Sequence, residues 1–323
     1  MMASTEEILS KLLKDHSKIS WQLKKITCDF PFKNKRIQSD FYYWDFKDGR
    51  YDNTPLIKYL SLRLIYFCLS QKEINEAFQN AHTQEEQTDA MYELEQKAKN
   101  LFIQVHKLKL TQAQKAGEPA EFLLFMFLEI FMKAPQVVAK MSLKTNSQIP
   151  VYGADGIHIG YKDNIISLYF GEAKLYEDCS SAIAEAIKSI SQIAKNPDKI
   201  DFEVTLVNRY IEIDDLEAKS EILNYLNPYS QKSKQMRMVF SCFIGFDFSK
   251  YKKIKNLPPE EVKSYFEKEY NEYATYICKM IQKGLQENDI TDFNVQFFLL
   301  PFPSVKEFRK AFYEKIGMSY DFE

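Results

Sequence analysis

Two carboxylates and one lysine are spaced as a metal-dependent hydrolytic site requires. Asp155 follows Tyr152-Gly-Ala, and Glu172 and Lys174 end the apolar run that begins at Ile165. Side chains alternate along a strand, so Glu172 and Lys174 point to the same face of a sheet. A hairpin that joins the two runs brings the start of the first strand beside the end of the second. We therefore expect Asp155, Glu172 and Lys174 to converge.

The expected cluster has the chemistry of a divalent-cation site. Two neighbouring carboxylates repel each other unless a cation lies between them, and hard oxygen ligands suit Mg²⁺ or Mn²⁺. The backbone carbonyl of Ala173 is a candidate further ligand. A bound ion can activate water and stabilise charge on a phosphate, and Lys174 can orient the water or offset that charge. The pattern indicates phosphodiester hydrolysis with Asp155 and Glu172 as metal ligands.

The bare Glu-x-Lys pattern also occurs at Glu95, Glu217 and Glu261. Those copies lie in polar or helical stretches, where a solvated surface pair is the simpler interpretation. Only Glu172 ends an apolar strand that follows a run carrying an acid. The alternative interpretation of Glu172 and Lys174 is a charged strand end at the rim of the sheet.

Two glutamates begin a helix predicted over 119–133 that is apolar almost all round and is therefore expected to be buried. The positive end of the helix dipole favours an anion there. Glu121, inside the apolar helix, is the stronger catalytic candidate, and Glu118 is a candidate metal ligand. The alternative is helix capping for Glu118 and dipole compensation for Glu121.

Three other polar residues near the motif are weaker candidates. His158 lies on the strand after Asp155, Tyr176 follows Lys174, and Gln192 lies on the next predicted helix. A half-buried strand position is favoured for His158 and aromatic packing for Tyr176. Gln192 is a minor candidate for a side chain that faces the site.

The charge balance bears on how a nucleic acid would be held. The 323-residue chain has a formal net charge of -2, whereas a stand-alone DNA binder usually carries a basic excess. Affinity for DNA would need a local patch, metal ions or a partner. Lys250, Lys252 and Lys253, with Lys255, form a short basic cluster that could contact phosphates. The alternative is a solvated loop.

The predicted elements from residue 119 to 248 are helix, strand, strand, strand, helix and strand. Their ranges are 119–133, Val137–Leu143, Val151–Tyr161, Ile165–Lys174, 179–195 and Met236–Phe248, with a turn at Lys162-Asp163-Asn164. Residues 198–230 fit a strand or a helix, and the helix is favoured. Flanking segments predict a strand at Asp40–Asp45, helices at Pro55–Asn80, His82–Lys107, Pro258–Glu287 and Ser304–Ile316, and a strand at Asn294–Leu300. One α/β domain with helical additions fits this order best.

The cysteines and the apolar runs indicate the cellular compartment. Five widely spaced cysteines without a CxxC pair make a disulfide framework or a structural zinc site improbable, so a cytoplasmic location is expected. The longest apolar run, Phe122–Met132, is shorter than the roughly 20 residues that span a bilayer. No membrane association is expected.

The residues around the motif resemble the HamA family of the Hachiman antiphage defence system, to which the AbpA proteins are related. The similarity is strongest in Gly117–Leu124, Lys140–Lys144, Gly153–His158 and Gly171–Tyr176, and it continues to Leu299–Ser304. It covers roughly 110–320. The resemblance therefore suggests a nuclease domain over 111–323 and a mostly helical region over 1–110 that is structural or faces a partner.

The resemblance implies a PD-(D/E)xK core, like that of restriction endonucleases, and a Mg²⁺-dependent DNA nuclease. Asp155, Glu172 and Lys174 match the family motif, and the helix glutamate corresponds to Glu118 or Glu121. It also implies a partner, the superfamily 2 helicase HamB, with the chain either a monomer or a heterodimer with that helicase. The alternative is a catalytically silent nuclease fold that docks the helicase and senses or binds DNA. A sequence-specific restriction enzyme is disfavoured, because no DNA-reading helix or zinc finger is visible.

Overall fold

The computed structural model describes residues 5–111, 117–143, 153–162, 165–211, 213 and 216–318. The helices are α1 Thr5–Leu12, α2 Ser17–Ser20, α3 Thr54–Cys68, α4 Gln71–Gln79, α5 Gln84–Thr111, α6 Glu118–Met132, α7 Lys140–Leu143, α8 Cys179–Ala194, α9 Pro197–Tyr210, α10 Leu216–Leu226, α11 Tyr251–Ile254, α12 Pro259–Glu287 and α13 Val305–Lys315. The strands are β1 Leu23–Ile26, β2 Ile37–Trp44, β3 Gly156–Lys162, β4 Ile165–Tyr176, β5 Arg237–Asp247 and β6 Asn294–Phe302. A 3₁₀ turn covers Gln231–Gln235.

A mixed six-stranded sheet organises these elements in the order β1-β2-β6-β5-β4-β3. Strands β4, β5 and β6 are parallel, and β3 is antiparallel to β4 at one end of the sheet. At the other end β2 is parallel to β6 and antiparallel to β1. The expected α/β architecture is confirmed. Helices fill the connections between parallel strands, as such crossovers require.

Different helices cover the two faces of the sheet, and this decides where each site residue points. Ala173 and Leu175 of β4 belong to the apolar cluster that contains α6 and α13. Leu168 and Phe170 belong to the cluster that contains α8 and α12. Because side chains alternate along a strand, even-numbered residues of β4 face α8 and odd-numbered residues face α6.

The first 110 residues contribute two strands to the same sheet, through the pairing of β2 with β6. The strand expected at Asp40–Asp45 corresponds to β2, which begins earlier, at Ile37, and ends at Trp44. The prediction of one helix over Pro55–Asn80 is wrong, because the chain breaks between α3 and α4 at Ser70. The Ser70 hydroxyl accepts a hydrogen bond from the Glu73 N–H at 3.1 Å, and the Glu73 carboxylate accepts one from the Ser70 N–H at 3.0 Å. This capping box begins α4. The functional division at residue 110 stays a prediction.

The predicted first strand of the core, Val137–Leu143, is also wrong. A single bridge joins Gln136 to His158, and the chain then turns into α7. Pro135 has no N–H to donate to a neighbouring strand. The helical turn also places the Lys140 side chain in the interior. Within the described residues 136–143, the chain therefore contributes a single bridge next to β3 and no strand.

The remaining predictions agree with the structure at the level of element type. The ambiguous region 198–230 forms α9 and α10, and the later strands and helices are β5, α12, β6 and α13. The turn residues Asp163 and Asn164 lie outside the described residues, as do Lys144 and Tyr152 of the stretches quoted above. Among the described helices, none combines the length and apolar character that crossing a membrane demands.

Candidate active site

Asp155 joins the beginning of β3 to the middle of β4 through two hydrogen bonds, one that it donates and one that it accepts. The Asp155 N–H donates to the carbonyl of Gly171 at 2.6 Å. The Asp155 carboxylate accepts a hydrogen bond from the Ala173 N–H at 2.9 Å. Gly156 is the first residue of β3 and pairs with Gly171 of β4. The carboxylate therefore replaces a strand neighbour for Ala173 just before β3 begins.

Glu172 and Lys174 project from β4 toward α8, on the same face as Asp155. The Lys174 ammonium donates to the Glu172 carboxylate at 2.5 Å. Glu172 is buried, and the Lys174 side chain is 17% exposed, so the pair lies at the edge of the protein interior. The negative charge of Asp155 acts on both residues and on Cys242, which lies opposite Glu172 on the neighbouring strand β5. The structure thus brings together the three residues that the sequence predicted to converge.

The electrostatics of this cluster favour a bound cation. Burial first and the neighbouring Asp155 carboxylate second raise the pKa of Glu172 to about 7. Lys174 and the hydroxyl of Ser189 act in the opposite direction. Burial disfavours the Lys174 ammonium, but the Glu172 and Asp155 carboxylates outweigh it and hold the pKa of Lys174 above its ordinary value. The cluster holds more negative charge than one lysine neutralises.

The backbone of β4 supplies a further oxygen donor beside these carboxylates. In a strand the N–H and C=O of one residue point to the same side. Because the Ala173 N–H points to Asp155, the Ala173 carbonyl also faces the space past the start of β3. Within the described part of the chain, no three His, Cys, Asp or Glu side chains are grouped to hold a metal. Two carboxylates and a carbonyl suit Mg²⁺, which usually keeps several of its waters.

The two helix glutamates lie at the start of α6, which packs on the opposite face of the sheet. Leu124 of α6 lies against Gly171, where an added Cβ would be 2.6 Å from the Leu124 Cδ2. Both glutamates are buried, and the Glu118 carboxylate accepts a hydrogen bond from the Tyr313 hydroxyl at 2.9 Å. A role for Glu118 or Glu121 at the metal stays a prediction.

The weaker candidates have distinct positions. His158 is buried, its Nδ1 is 2.8 Å from the Ala134 carbonyl, and burial lowers its pKa to about 4. Its side chain faces α6, away from Glu172. The Tyr176 hydroxyl donates to Glu185 of α8 at 2.8 Å, which places Tyr176 beside the cluster. Gln192 is exposed on α8.

The basic cluster lies beyond the carboxyl end of β5, the strand next to β4. Lys250 forms an ion pair with Glu269, while Lys252 and Lys253 are exposed on α11. Carboxyl ends of parallel strands meet at one edge of a sheet, so α11 and Lys174 occupy the same edge. Phosphate contact by these lysines stays a prediction, and the Lys250 ammonium is already paired with the Glu269 carboxylate.

Sequence reasoning missed Ser189 of α8, whose hydroxyl acts on Glu172 and lowers its pKa. Ser189 lies three residues before Gln192 on α8, and residues three apart share one face of a helix. A role for Gln192 at the site stays a prediction, and Ser189, which acts on Glu172, lies one turn earlier on α8. A serine carries little signal of its own, because it is common on helix surfaces.

A mixed sheet flanked by helices, with two acids and a lysine where β3 meets β4, defines an α/β protein of nuclease-like fold. The family model described as HamA matches residues 19–316, and the chain belongs to the HamA family. The match begins before β1 and so extends further toward the N-terminus than the resemblance seen in the sequence. Family membership indicates an antiphage defence effector that works with a partner of the defence system. A search of the curated proteins gives no match.

Proposed function

We propose that this chain is a Mg²⁺-dependent DNA nuclease with a PD-(D/E)xK core that acts as the effector of its defence system. The observation that carries the proposal is the Asp155 carboxylate on the Ala173 N–H, directly between Glu172 and Lys174. A charged strand end at the rim of a sheet would not need this bond. Nor would it bury a second carboxylate whose pKa is raised to about 7.

Asp155, Glu172 and the Ala173 carbonyl would hold Mg²⁺ or Mn²⁺. A bound divalent ion lowers the pKa of coordinated water and screens charge on a phosphate. Lys174 stays protonated at neutral pH, because the pKa of its ammonium lies above the ordinary value. Its position lets it orient an attacking water and offset negative charge that develops on the phosphate. Glu121 and Glu118 remain candidates for an additional catalytic and ligand role.

Delivery of the DNA is assigned to a partner. The net charge of -2 argues against strong DNA binding by the chain alone. A superfamily 2 helicase of the HamB type would supply that affinity, with the chain either a monomer or one half of a heterodimer. Lys252 and Lys253, exposed at the same sheet edge as Lys174, are the candidate phosphate contacts within the chain.

The proposal is tested in cells that carry the complete defence system. The variants are Asp155→Asn with Glu172→Gln, and the matched control is Asp289→Asn, an exposed aspartate whose positive φ of 46° asparagine also tolerates. We expect the double variant to co-purify with the helicase and to lose protection against phage, while the control protects. Full protection by an assembled double variant would reject cleavage and favour a docking module.

A further inference from the structure

A buried ion pair lies behind the loop that carries Asp155. The Lys140 ammonium of α7 is 2.7 Å and 2.9 Å from the two carboxylate oxygens of Glu203 on α9. The side chains are 4% and 0% exposed. A buried pair of this kind contributes little net stability, because both charges lose their hydration. Its position calls for another explanation.

The pair is bonded to both backbone polar groups of Ala154, the residue before Asp155. The Lys140 ammonium donates to the Ala154 carbonyl at 2.6 Å. The Ala154 N–H donates to the Glu203 carboxylate at 2.8 Å. Buried backbone groups require such partners, and a neighbouring strand usually supplies them. Here two side chains distant in sequence supply them at the point where β3 has not yet begun.

Gly153 shows how closely Glu203 approaches this backbone. Its φ is +150°, and a Cβ added there would be 1.8 Å from a Glu203 carboxylate oxygen. A side chain at this position would therefore push Glu203 away from the loop. Glu203 and Lys140 hold the Ala154 backbone on one side, and Glu203 also lies against Gly153. Asp155 is held on the other side by Gly171 and Ala173 of β4.

We propose that Lys140 and Glu203 are positioning residues that fix the Gly153–Asp155 backbone, so that the Asp155 carboxylate faces Glu172 and Lys174. The catalytic part of this inference rests on the proposed nuclease function. Each residue acts through the loop, by its bonds to Ala154. Charged partners hold both the N–H and the C=O of Ala154 in fixed directions, which apolar packing cannot do. A displacement of about 1 Å at a reacting group can lower a rate roughly 100-fold.

The test uses the full chain with Lys140→Met and Glu203→Leu combined, which leaves neither buried charge without its partner. A second variant, Glu203→Gln, keeps an acceptor for the Ala154 N–H. The readout is hydrogen exchange at the Ala173 amide relative to the amides of β5, because a general loss of stability speeds both, whereas a displaced Asp155 frees the Ala173 amide alone. We expect faster exchange at Ala173 in the double variant and a kcat lowered roughly 100-fold, with an almost unchanged KM for DNA. Glu203→Gln should fall between this variant and wild type.

The matched control is Glu129→Gln, which disturbs a different buried pair. Glu129 of α6 lies 2.7 Å from His16 Nε2, and its side chain is 1% exposed. This control should lower thermal stability but leave the exchange of Ala173 relative to the β5 amides, and the kcat, at wild-type values. Slow Ala173 exchange and a wild-type kcat in the folded double variant would overturn the inference. So would an equal loss of kcat in Glu129→Gln. If the wild-type chain cleaves nothing, the nuclease function fails, but the exchange at Ala173 still decides the positioning claim.

Discussion

The Asp155 carboxylate accepts a hydrogen bond from the Ala173 N–H at 2.9 Å, so the acid before β3 is joined to the residue between Glu172 and Lys174. This bond does two things. It supplies the partner that Ala173 lacks because β3 begins only at Gly156, and it sets a second carboxylate beside the buried Glu172. The local fold and the expected metal chemistry therefore depend on the same side chain.

Asp155→Asn separates these two roles. Asparagine keeps an oxygen that can accept from the Ala173 N–H, but it lacks the negative charge that a divalent cation needs. We expect a folded protein whose affinity for Mn²⁺, measured by calorimetry, falls about 10- to 100-fold. Asp289→Asn, at the exposed turn after α12, is the control and should bind as wild type. An unchanged affinity in Asp155→Asn would remove Asp155 from the ligand set.

Lys174→Met removes the ammonium from the cluster. The pKa of Glu172 should then rise further, because the cation that opposed its protonation is gone. We expect DNA cleavage to fall about 10²- to 10³-fold, since the developing charge on the phosphate loses its closest cation. Lys195→Met, at the exposed end of α8, is the matched control. Cleavage at the wild-type rate in Lys174→Met would show that the assigned role is wrong.

The raised pKa of Glu172 makes metal binding depend on pH. Below its pKa of about 7, Glu172 must release a proton before it can bind a cation. The apparent affinity for Mn²⁺ should therefore rise with pH by about tenfold per unit and level off above neutrality. Calorimetry across that range checks this expectation. Glu172→Gln should abolish the slope, and a slope that persists in this variant would assign the proton to another group.

The same proton links stability to pH in the metal-free protein. The pKa of Glu172 in the folded state lies above its ordinary value of 4.5, so the folded state holds the proton more tightly than the unfolded state. The contribution of Glu172 to the free energy of unfolding therefore decreases as pH rises from about 4.5 to about 7. Denaturant unfolding of wild type and Glu172→Gln isolates this contribution. Saturating Mn²⁺ should reverse its sign.

Gly171 is required by the close approach of α6 to β4. A Cβ at this position would lie 2.6 Å from the Leu124 Cδ2, so Gly171→Ala should lower the free energy of unfolding by about 1–3 kcal/mol. Leu124→Ala opens space at the same spot, and the double variant should cost less than the sum of the single variants. Denaturant unfolding of all four proteins gives the coupling. Strict additivity would contradict this packing.

The cluster could be predicted because it depends on local rules. Alternation along β4 places Glu172 and Lys174 on one face, and a hairpin places Asp155 beside them. The break between α3 and α4 could also have been predicted, because Ser70 and Glu73 have the spacing of a capping box. The apolar residues Val137, Val138 and Met141 fit a short helix as well as a strand, so periodicity alone could not identify α7.

The contacts of Lys140 and Glu203 with Ala154 could not be predicted from the sequence, because they join distant segments of the chain. Glu203 lies on α9, which follows α8 in the chain, and it contacts Ala154, which precedes β3. The local sequence around either residue does not indicate this contact. The edge strand β1 is four residues long and contains two lysines, so it lacks an apolar signature. Contacts between distant segments arise from tertiary packing, which one sequence does not reveal.

The most direct measurement is cleavage of supercoiled plasmid DNA by the purified chain, with Mg²⁺ or with a chelator, alone and with its helicase partner and ATP. We expect Mg²⁺-dependent cleavage in at least one of these mixtures, and its loss in Glu172→Gln although that variant folds and binds the helicase. Cleavage of equal rate by wild type and Glu172→Gln would contradict the assignment of the active site to Asp155, Glu172 and Lys174.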